Sequence, residues 1–419
     1  MKSVLFLILF TAASCCAAQS DCSQQALQAE TGKFFAVQKQ LSAATSKGTS
    51  EDDATAQDIT PAIHAQILQM KDALVAYSDR VMNCSSVDVQ AGLLEKQIAQ
   101  SLRANPPEKE GAGVSSGGWG EERSVVVTRP ADFSKLLALD YSWNIDCGDD
   151  HILLVYEQRD GVWVRRVRWQ ATEMEAVSDA FGDFFLYKFV AAENGGWRVA
   201  TAHGHPWCTS RFSGFHMDLL APGYGQSVTK SVWGLGRGYS RGDGEVKMKA
   251  KENSFELRLN APSMDLEEGF ERRVIYHYQV QSGDRVERTG PLGINARGFV
   301  EEWLAAPWEE MRSVSDAQNL TALKKAHDGF PDMGQKDDDK HYVTHSYAPV
   351  RGCAAKSVFQ VQFDNQVEIT VPGKSGGVTK TLPSMYFKVV ESKEGYTMLS
   401  ADTKPDPSCN GRDLMATKK

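Results

Sequence analysis

The stretch LDYSWNIDCGDDHILLVYEQRDGVWVRRVRW, at positions 139–169, decides the fold class of this chain. Apolar and polar residues alternate from Leu139 to Ile145, which is the two-residue period of a β-strand with one buried face. A compact apolar run follows at 152–156, and Asp160-Gly161 is a dipeptide typical of the tight turn in a β-hairpin. The stretch therefore predicts consecutive antiparallel strands.

The alternating pattern continues downstream. Four further apolar segments are bounded by Gly, Asn and Asp turns, at 184–190, 197–202, 255–259 and 274–280. Because helical segments do not alternate with these strands, a parallel nucleotide-binding sheet is not expected. The region predicts an antiparallel meander that closes as a sandwich or a barrel.

Helices and a second set of strands are predicted in the C-terminal part. The helices lie at 299–308 and 317–327, and five strands lie between positions 341 and 400. Cys353 and Cys409 lie near the two ends of this set of strands. A disulfide between them would close a small α+β domain.

The N-terminal region has the three- and four-residue apolar spacing of helices. Thr60 followed by Pro61 is a helix start signal, because a threonine hydroxyl caps backbone N–H groups and proline suits the first helical position. Two helices of about 22 residues each, separated by a polar segment, would form an antiparallel hairpin. Cys22 and Cys84 would then lie side by side, so we expect a disulfide between them.

A third helix is predicted at 87–102, where Ser85 and Asp88 are spaced as a capping pair. The chain is therefore expected to be an α+β protein that is mainly antiparallel β. An N-terminal helical hairpin or three-helix bundle precedes a β-meander sandwich or barrel and a small C-terminal α+β domain. The predicted bounds are a signal peptide at 1–18, the helices at 19–103, a Gly/Pro-rich linker at 104–120, the β-rich domain at 121–312 and the α+β domain at 313–419.

The first 18 residues have the pattern of a cleavable secretory leader. Lys2 precedes ten apolar or small residues, Val4–Ala13, and small residues reach Ala18, after which a signal peptidase would cut. Ten residues are too few to cross a bilayer core of about 30 Å, and no later stretch has the apolar length of a transmembrane helix. The chain is thus expected to be exported, to the periplasm or as a secreted protein. A lipid anchor at Cys15 or Cys16 is the alternative.

Six cysteines remain after the leader, and none of them forms a Cys-x-x-Cys pair. Zinc fingers and thioredoxin-like redox sites therefore lack their usual signature, whereas disulfides suit an exported protein. Sequence alone does not choose among the possible pairings. If the two pairs above form, the remaining partners are Cys147 and Cys208.

The net charge restricts the partners of the chain. The full sequence has 46 basic against 54 acidic residues, so loss of Lys2 with the leader leaves 45 against 54, a net charge of −9. A general nucleic-acid binder concentrates positive charge on one face, so nucleic acid is not an expected partner. No motif identifies a cofactor or any other partner.

A Cys147–Cys208 disulfide would bring two distant loops together, because bonded cysteines have Cα atoms within about 4.4–6.8 Å of each other. These loops carry three aspartates and three histidines: Asp146, Asp149, Asp150, His151, His203 and His205. Carboxylates and imidazoles at one place are what a hard or borderline metal ion, or a general acid–base pair, requires. The alternative is that they are ordinary strand-end and turn residues.

Two glycine-containing strings lack the structural context that their function needs. Gly238–Gly242 matches the Gly-x-Ser-x-Gly nucleophile elbow, and Gly234–Gly238 resembles a phosphate-binding loop, but no helix is predicted after either string. The sequence therefore favours a non-catalytic exported binding or interaction protein. A hydrolase that uses the aspartate–histidine cluster, with or without a metal ion, is the alternative.

Overall fold

The computed structural model of the chain describes residues 22–45, 60–104, 118–145, 148–171, 184–205, 212–223, 227–240, 245–264, 271–330, 336–337, 340–344, 349–370 and 377–415. It confirms the predicted fold class: N-terminal helices precede sheets that are mainly antiparallel, and a region of helices and strands ends the chain. No helix within these ranges is both long and apolar enough to cross a membrane.

An antiparallel hairpin of two long helices begins the described chain. Helix α1 spans Gln24–Thr45 and packs against helix α2, which spans Pro61–Cys84. A disulfide joins Cys22 to Cys84, which is the pairing that the hairpin predicts. The bond links the start of α1 to the end of α2 and so fixes the register of the two helices.

The two predicted helix starts differ in outcome. The Thr60 hydroxyl caps α2, as predicted, by accepting a hydrogen bond from the Ile63 N–H at 3.3 Å. Helix α3 spans Ala91–Leu102 and begins later than predicted. Ser85 does not cap it, because the Ser85 hydroxyl donates to the Val81 carbonyl in the last turn of α2 at 2.8 Å.

A four-stranded antiparallel sheet, in the order β1-β2-β3-β4, follows the helices. Its strands are β1 Arg123–Thr128, β2 Leu136–Ile145, β3 Gly148–Arg159 and β4 Val162–Gln170. Asp160 and Gly161 connect β3 to β4 with φ angles of 51° and 81°, the left-handed turn that this dipeptide predicts. On one face of the sheet, apolar side chains of β2 share a core with those of the three helices.

Eight further strands form one curled sheet with the path β12-β11-β10-β8-β7-β6-β5, and β9 pairs with β10. The strands are β5 Phe185–Ala191, β6 Trp197–Gly204, β7 Phe212–Leu220, β8 Ser231–Ser240, β9 Lys247–Lys251, β10 Ser254–Pro262, β11 Glu271–Val280 and β12 Val286–Thr289. The sheet curls until β5 reaches β9, where the Ala191 N–H donates to the Glu252 carbonyl at 2.8 Å. Its inner face encloses an apolar core that includes Phe215, Leu257 and Tyr276, so we call this sheet the barrel.

The first sheet lies between the helices and the barrel. Its second face packs on the outer face of β5 and β6, where Leu153 and Trp169 of the first sheet meet Trp197 and Val199 of the barrel. Side chains alternate along a strand, so those of β3 and β4 enter one interface or the other. This alternation decides which polar residues can meet.

Three α-helices and two more sheets make up the rest of the described chain. The helices are α4 Ala296–Ala305, α5 Trp308–Met311 and α6 Leu320–Asp328. One sheet consists of β13 Lys336–Asp337, β14 Lys340–Thr344, β17 Asn365–Thr370 and β18 Gly377–Thr381, and the other of β15 Val350–Gly352, β16 Val358–Phe363, β19 Met385–Ser392 and β20 Gly395–Asp402. A disulfide joins Cys353 to Cys409, the pair expected to close this region. Side chains from Leu292 to Val314 share a core with the second sheet, so this core begins before position 313, the predicted start of the C-terminal domain.

A buried ionic network connects β11 and β12 of the barrel to α4. Arg272 and Arg288 contact the two oxygens of the Glu302 carboxylate, at 2.8 Å and 2.5 Å. Burial alone would raise the pKa of Glu302, but the two guanidinium groups outweigh it, so the pKa is lowered. Paired charges therefore fix the barrel to the C-terminal helices.

Candidate functional site: a histidine cluster on the barrel

Three histidines lie together on one face of the barrel, on β6, just after its end and on β7, and we call them the histidine cluster. His203 and His216 are directly opposite each other in the β6–β7 ladder, and His205 follows His203 by two residues. Because side chains alternate along a strand, the three share one face of the sheet. Their ring centroids are 5.6 Å apart for 203–205, 5.7 Å for 203–216 and 4.7 Å for 205–216.

Two glycines make room for these rings. A Cβ atom at Gly214 would lie 3.2 Å from Nδ1 of His205, and one at Gly236 would lie 2.9 Å from Nε2 of His216. Gly236 is opposite His216 on the neighbouring strand β8, so a side chain there would displace the His216 ring. Glycine at positions 214 and 236 therefore leaves space beside one ring nitrogen of His205 and one of His216.

The three histidines differ in burial. His203 is 7% exposed, whereas His216 is exposed and His205 is partly buried. Nδ1 of His203 is buried and has no hydrogen-bond partner among the described residues. Burial, together with the positive charge that His205 and His216 can carry, holds the pKa of His203 well below its usual range. His203 is therefore a neutral imidazole at neutral pH.

A line of aromatic rings leads from the cluster to His151. Between ring centroids, Trp169 lies 5.1 Å from His203, Phe185 lies 4.4 Å from Trp169, and His151 lies 4.8 Å from Phe185. Nδ1 of His151 lies 3.1 Å from Oδ1 of Asp140. Burial would lower the pKa of His151, but the charge and hydrogen bond of Asp140 outweigh it, so the pKa is raised. His151 and Asp140 thus form an acid–base pair beside the cluster.

Asp150, which is predicted to join the histidines, lies elsewhere. It is on the opposite face of β3 from His151, where Nζ of Lys71 lies 2.9 Å from its Oδ1 and 2.8 Å from its Oδ2. Both side chains are almost completely buried between α2 and the first sheet. The expectation that Asp150 shares a site with His151 is wrong, because neighbouring residues of a strand enter different interfaces.

The remaining predicted site residues lie partly within and partly outside the described part of the chain. Asp149 is exposed on β3, and its charge helps to raise the pKa of His151. Asp146, Cys147 and Cys208 lie outside the described residues, so the Cys147–Cys208 disulfide stays a prediction. In the described part of the chain, His203 and His205 are brought together by strand geometry, and His151 approaches them through the packing of the two sheets.

Charged side chains also line the interface between α2 and the first sheet, and we call this line the α2 seam. It consists of the ion pairs Lys71–Asp150, Asp79–Arg165 and Asp72–Arg168. The second and third pairs have N–O distances of 2.8 Å and 2.7 Å. Each carboxylate of the seam is matched by a cation, so the seam holds the helix on the sheet.

The Gly-x-Ser-x-Gly string does not form a nucleophile elbow. Ser240 is the last residue of β8, is 3% exposed, and donates to Oε1 of Glu271 at 2.5 Å. Gly234, Gly236 and Gly238 alternate along the same strand and are exposed. They form a strip without side chains next to the histidine cluster, rather than a phosphate-binding turn before a helix.

Sequence reasoning missed His216 and Asp140. His216 lies on β7, for which no strand was predicted, so its place opposite His203 could not be foreseen. The available signal was the apolar residue at every second position from Phe215 to Leu219. Asp140 was counted only as a polar position of the alternating strand, and its contact with His151 depends on the register of β2 and β3.

The arrangement offers imidazole nitrogens and one acid–base pair. No group of three or more His, Cys, Asp or Glu side chains in the described ranges has its donor atoms placed to hold a metal ion as the rings stand. Ser142 is opposite His151 in the β2–β3 ladder, but its hydroxyl is hydrogen-bonded to that of Ser124 at 2.7 Å. The site can therefore offer lone pairs and N–H groups to a ligand.

Comparison with known proteins gives no family for this chain. No protein-family model matches it, and no curated protein is significantly similar to it. The function has to be inferred from the histidine cluster and its surroundings.

Proposed function

We propose that this is an exported protein that binds a ligand at the histidine cluster without transforming it. The observation that carries the proposal is the placement of His205 and His216 at the barrel surface. Their rings lie 4.7 Å apart, with glycines at 214 and 236 beside their nitrogens. A few polar groups held on a rigid scaffold are what a ligand site needs to fix the orientation of its ligand.

The positions of the carboxylates support binding without catalysis. Asp150 is paired with Lys71 in the α2 seam, on the far side of the sheet from the cluster. A general base must lie within hydrogen-bond reach of the group that it activates, and Asp150 does not reach the cluster.

Export is supported by two features of the chain. The leader pattern covers residues 1–18, which lie outside the described ones, and the structure has the disulfides Cys22–Cys84 and Cys353–Cys409. Mass spectrometry of the purified protein's N-terminus distinguishes the two export routes. A start at Gln19 indicates a periplasmic or secreted protein, and a lipid-modified Cys15 or Cys16 indicates a lipoprotein.

A hydrolase is the second candidate, and one observation favours it. Asp140 is hydrogen-bonded to His151, and Ser142 is directly opposite His151 in the ladder. These are the three side-chain types of a catalytic triad, although the Ser142 hydroxyl is turned toward Ser124. Hydrolysis by this route would require Ser142 to turn toward His151.

Turnover assays with p-nitrophenyl acetate and p-nitrophenyl phosphate separate the two candidates. We expect the full chain to hydrolyse neither substrate faster than its His151→Ala variant does. A rate that is lost in His151→Ala and in Ser142→Ala would contradict the binding proposal and establish the hydrolase.

Protection of the imidazoles tests binding directly. Diethyl pyrocarbonate modifies accessible histidines, and mass spectrometry locates the modified residues. With the small-molecule fraction of the producing culture present, we expect reduced modification of His205 and His216. His277, whose ring nitrogen is hydrogen-bonded to Thr289 at 2.8 Å elsewhere on the barrel, is the internal control. Equal modification of His205 and His216 with and without the fraction would count against the proposal.

A further inference from the structure

The spacing of the three imidazoles matches that of a metal site. For a zinc ion held tetrahedrally by ring nitrogens at about 2.0–2.1 Å, the centroids of the ligand rings lie about 5 Å apart. The three centroid distances in the histidine cluster are 4.7, 5.6 and 5.7 Å. The distances between the rings therefore do not have to change much for all three to reach one ion.

The strand pairing makes this spacing a property of the backbone. His203 and His205 are two residues apart along the chain. His216, on the next strand, is directly opposite His203 in the β6–β7 ladder. Neighbouring strands lie about 4.7–4.9 Å apart and side chains repeat every second residue on one face. Two paired strands thus present three imidazoles at the corners of a small triangle.

Among the described residues, no group of three or more His, Cys, Asp or Glu side chains is placed to hold a metal ion in this structure, so metal binding requires the rings to turn. His216 has the most open surroundings of the three rings. His216 is exposed and His205 is partly buried, and glycines occupy positions 214 and 236 beside their nitrogens. A side chain turns about its own χ angles, so such a change would leave the strand pairing in place.

His203 is the fixed member of the triangle, and its environment suits a metal ligand. Its ring is buried beside Trp169, and Nδ1 has no hydrogen-bond partner among the described residues. Buried polar groups are normally satisfied, so an unpartnered nitrogen here is consistent with a ligand site.

We infer that the histidine cluster binds one divalent late transition-metal ion, such as Zn²⁺ or Cu²⁺, through His203, His205 and His216. This inference rests on the proposed function, since it names the class of ligand that the same site takes. Imidazole nitrogens suit these ions, whereas Mg²⁺ and Ca²⁺ are bound by oxygen atoms. The proton released from any protonated ring on binding goes to solvent, so affinity falls as the pH falls.

Calorimetric titration with ZnCl₂ tests the inference. The full chain, with its disulfides oxidised, is stripped with a chelator, dialysed and titrated at about pH 7.5, where histidine is largely neutral. We expect one Zn²⁺ per chain. His203→Ala, His205→Ala and His216→Ala should each raise the Kd by about 100-fold or more, since loss of even an indirect partner of a metal ligand costs about 10–100-fold. His277→Ala should leave the Kd unchanged, and excess Mg²⁺ or Ca²⁺ should not compete.

His216→Ala is the decisive variant, because its side chain is exposed and the fold should not depend on it. Near-ultraviolet circular dichroism checks that its fold is intact. The absence of saturable binding, or an unchanged Kd in folded His216→Ala, would overturn the inference.

The protection, zinc-binding and hydrolysis assays together distinguish failure of the metal site from failure of the proposed function. Protection of His205 and His216 by the culture fraction without zinc binding rejects the metal and keeps the binding proposal. Zinc-dependent hydrolysis of p-nitrophenyl acetate that is lost in His216→Ala keeps the metal site and rejects binding without catalysis.

Discussion

The α2 seam and the histidine cluster are both polar regions beside the first sheet, but only in the seam does an opposite charge lie beside each polar group that defines it. In the seam, each carboxylate has a cation at 2.7–2.9 Å. In the cluster, Nδ1 of His203 is buried without a hydrogen-bond partner among the described residues, and so is the hydroxyl of Thr201, two residues away on the same strand. The comparison therefore separates polar groups that are held by an opposite charge from a buried imidazole that is not, which is the difference on which the proposed function depends.

Removal of one charge from the seam should have the largest effect on stability. Asp150→Ala leaves Lys71 buried without its counter-charge, and we expect the free energy of unfolding to fall by about 3–5 kcal/mol. Urea denaturation followed by far-ultraviolet circular dichroism measures the change. Asp149→Ala, at the exposed neighbouring position, is the matched control and should stay within about 0.5 kcal/mol of the wild type.

The double variant Lys71→Met/Asp150→Leu removes both charges of the pair. If Asp150→Ala is unstable because of an unpaired charge, the double variant should recover most of the loss, since apolar replacements of buried ion pairs are often neutral or stabilising. A double variant as unstable as Asp150→Ala would show that packing, rather than charge, explains the loss.

Removal of the buried His203 imidazole should not lower the free energy of unfolding, in contrast to removal of a charge from the seam. His203→Leu replaces a ring whose Nδ1 has no partner, so the metal-free protein should unfold with a free energy equal to that of the wild type or higher by up to about 1 kcal/mol. The same denaturation assay applies. A loss of more than about 2 kcal/mol would mean that His203 is a structural residue like those of the seam.

The contribution of the Asp140–His151 pair to the free energy of unfolding should depend on pH and be of moderate size. Asp140 raises the pKa of His151, so the pair stabilises the folded state below the unfolded pKa of about 6.5, and the stabilisation is lost as the pH rises through the folded pKa. Asp140→Asn should therefore destabilise the protein more at about pH 5.5 than at about pH 8.5. An NMR titration should show a lower pKa for His151 in this variant, and an equal destabilisation at both pH values would contradict the assigned cause.

A substitution beside His216 should have the smallest effect on stability and a clear effect on binding. A Cβ atom at position 236 would lie 2.9 Å from Nε2 of His216, an exposed side chain that can move away. Gly236→Ala should therefore change the free energy of unfolding by less than about 0.5 kcal/mol and weaken zinc binding measurably. Gly223→Ala, where a Cβ would meet nothing within 4 Å, is the matched control.

The fold was largely predictable because its signals are local. The Thr60-Pro61 helix start, the Asp160-Gly161 turn and the two-residue period of β2 each act within a few residues of sequence. The Cys22–Cys84 disulfide followed from the predicted helix lengths, since the start of one helix and the end of the next lie side by side in a hairpin of two helices of similar length.

The site was less predictable because it depends on strand pairing. The period of a strand shows that Asp150 and His151 take opposite faces, but not which face meets a helix and which meets another sheet. The partner of His203 depends on the register of β6 and β7, and the segment that forms β7 was not predicted to be a strand. Contacts between distant segments therefore required the structure.

NMR of the imidazole rings tests most directly whether the histidine cluster, and not the paired residues around it, is where the protein binds. In a chain labelled with ¹⁵N-histidine, each of the nine histidines gives its own ring signals. One equivalent of ZnCl₂ should shift the signals of His203, His205 and His216 and leave those of His151 in place. Shifts at His151, or no shift at the three cluster histidines, would contradict this account.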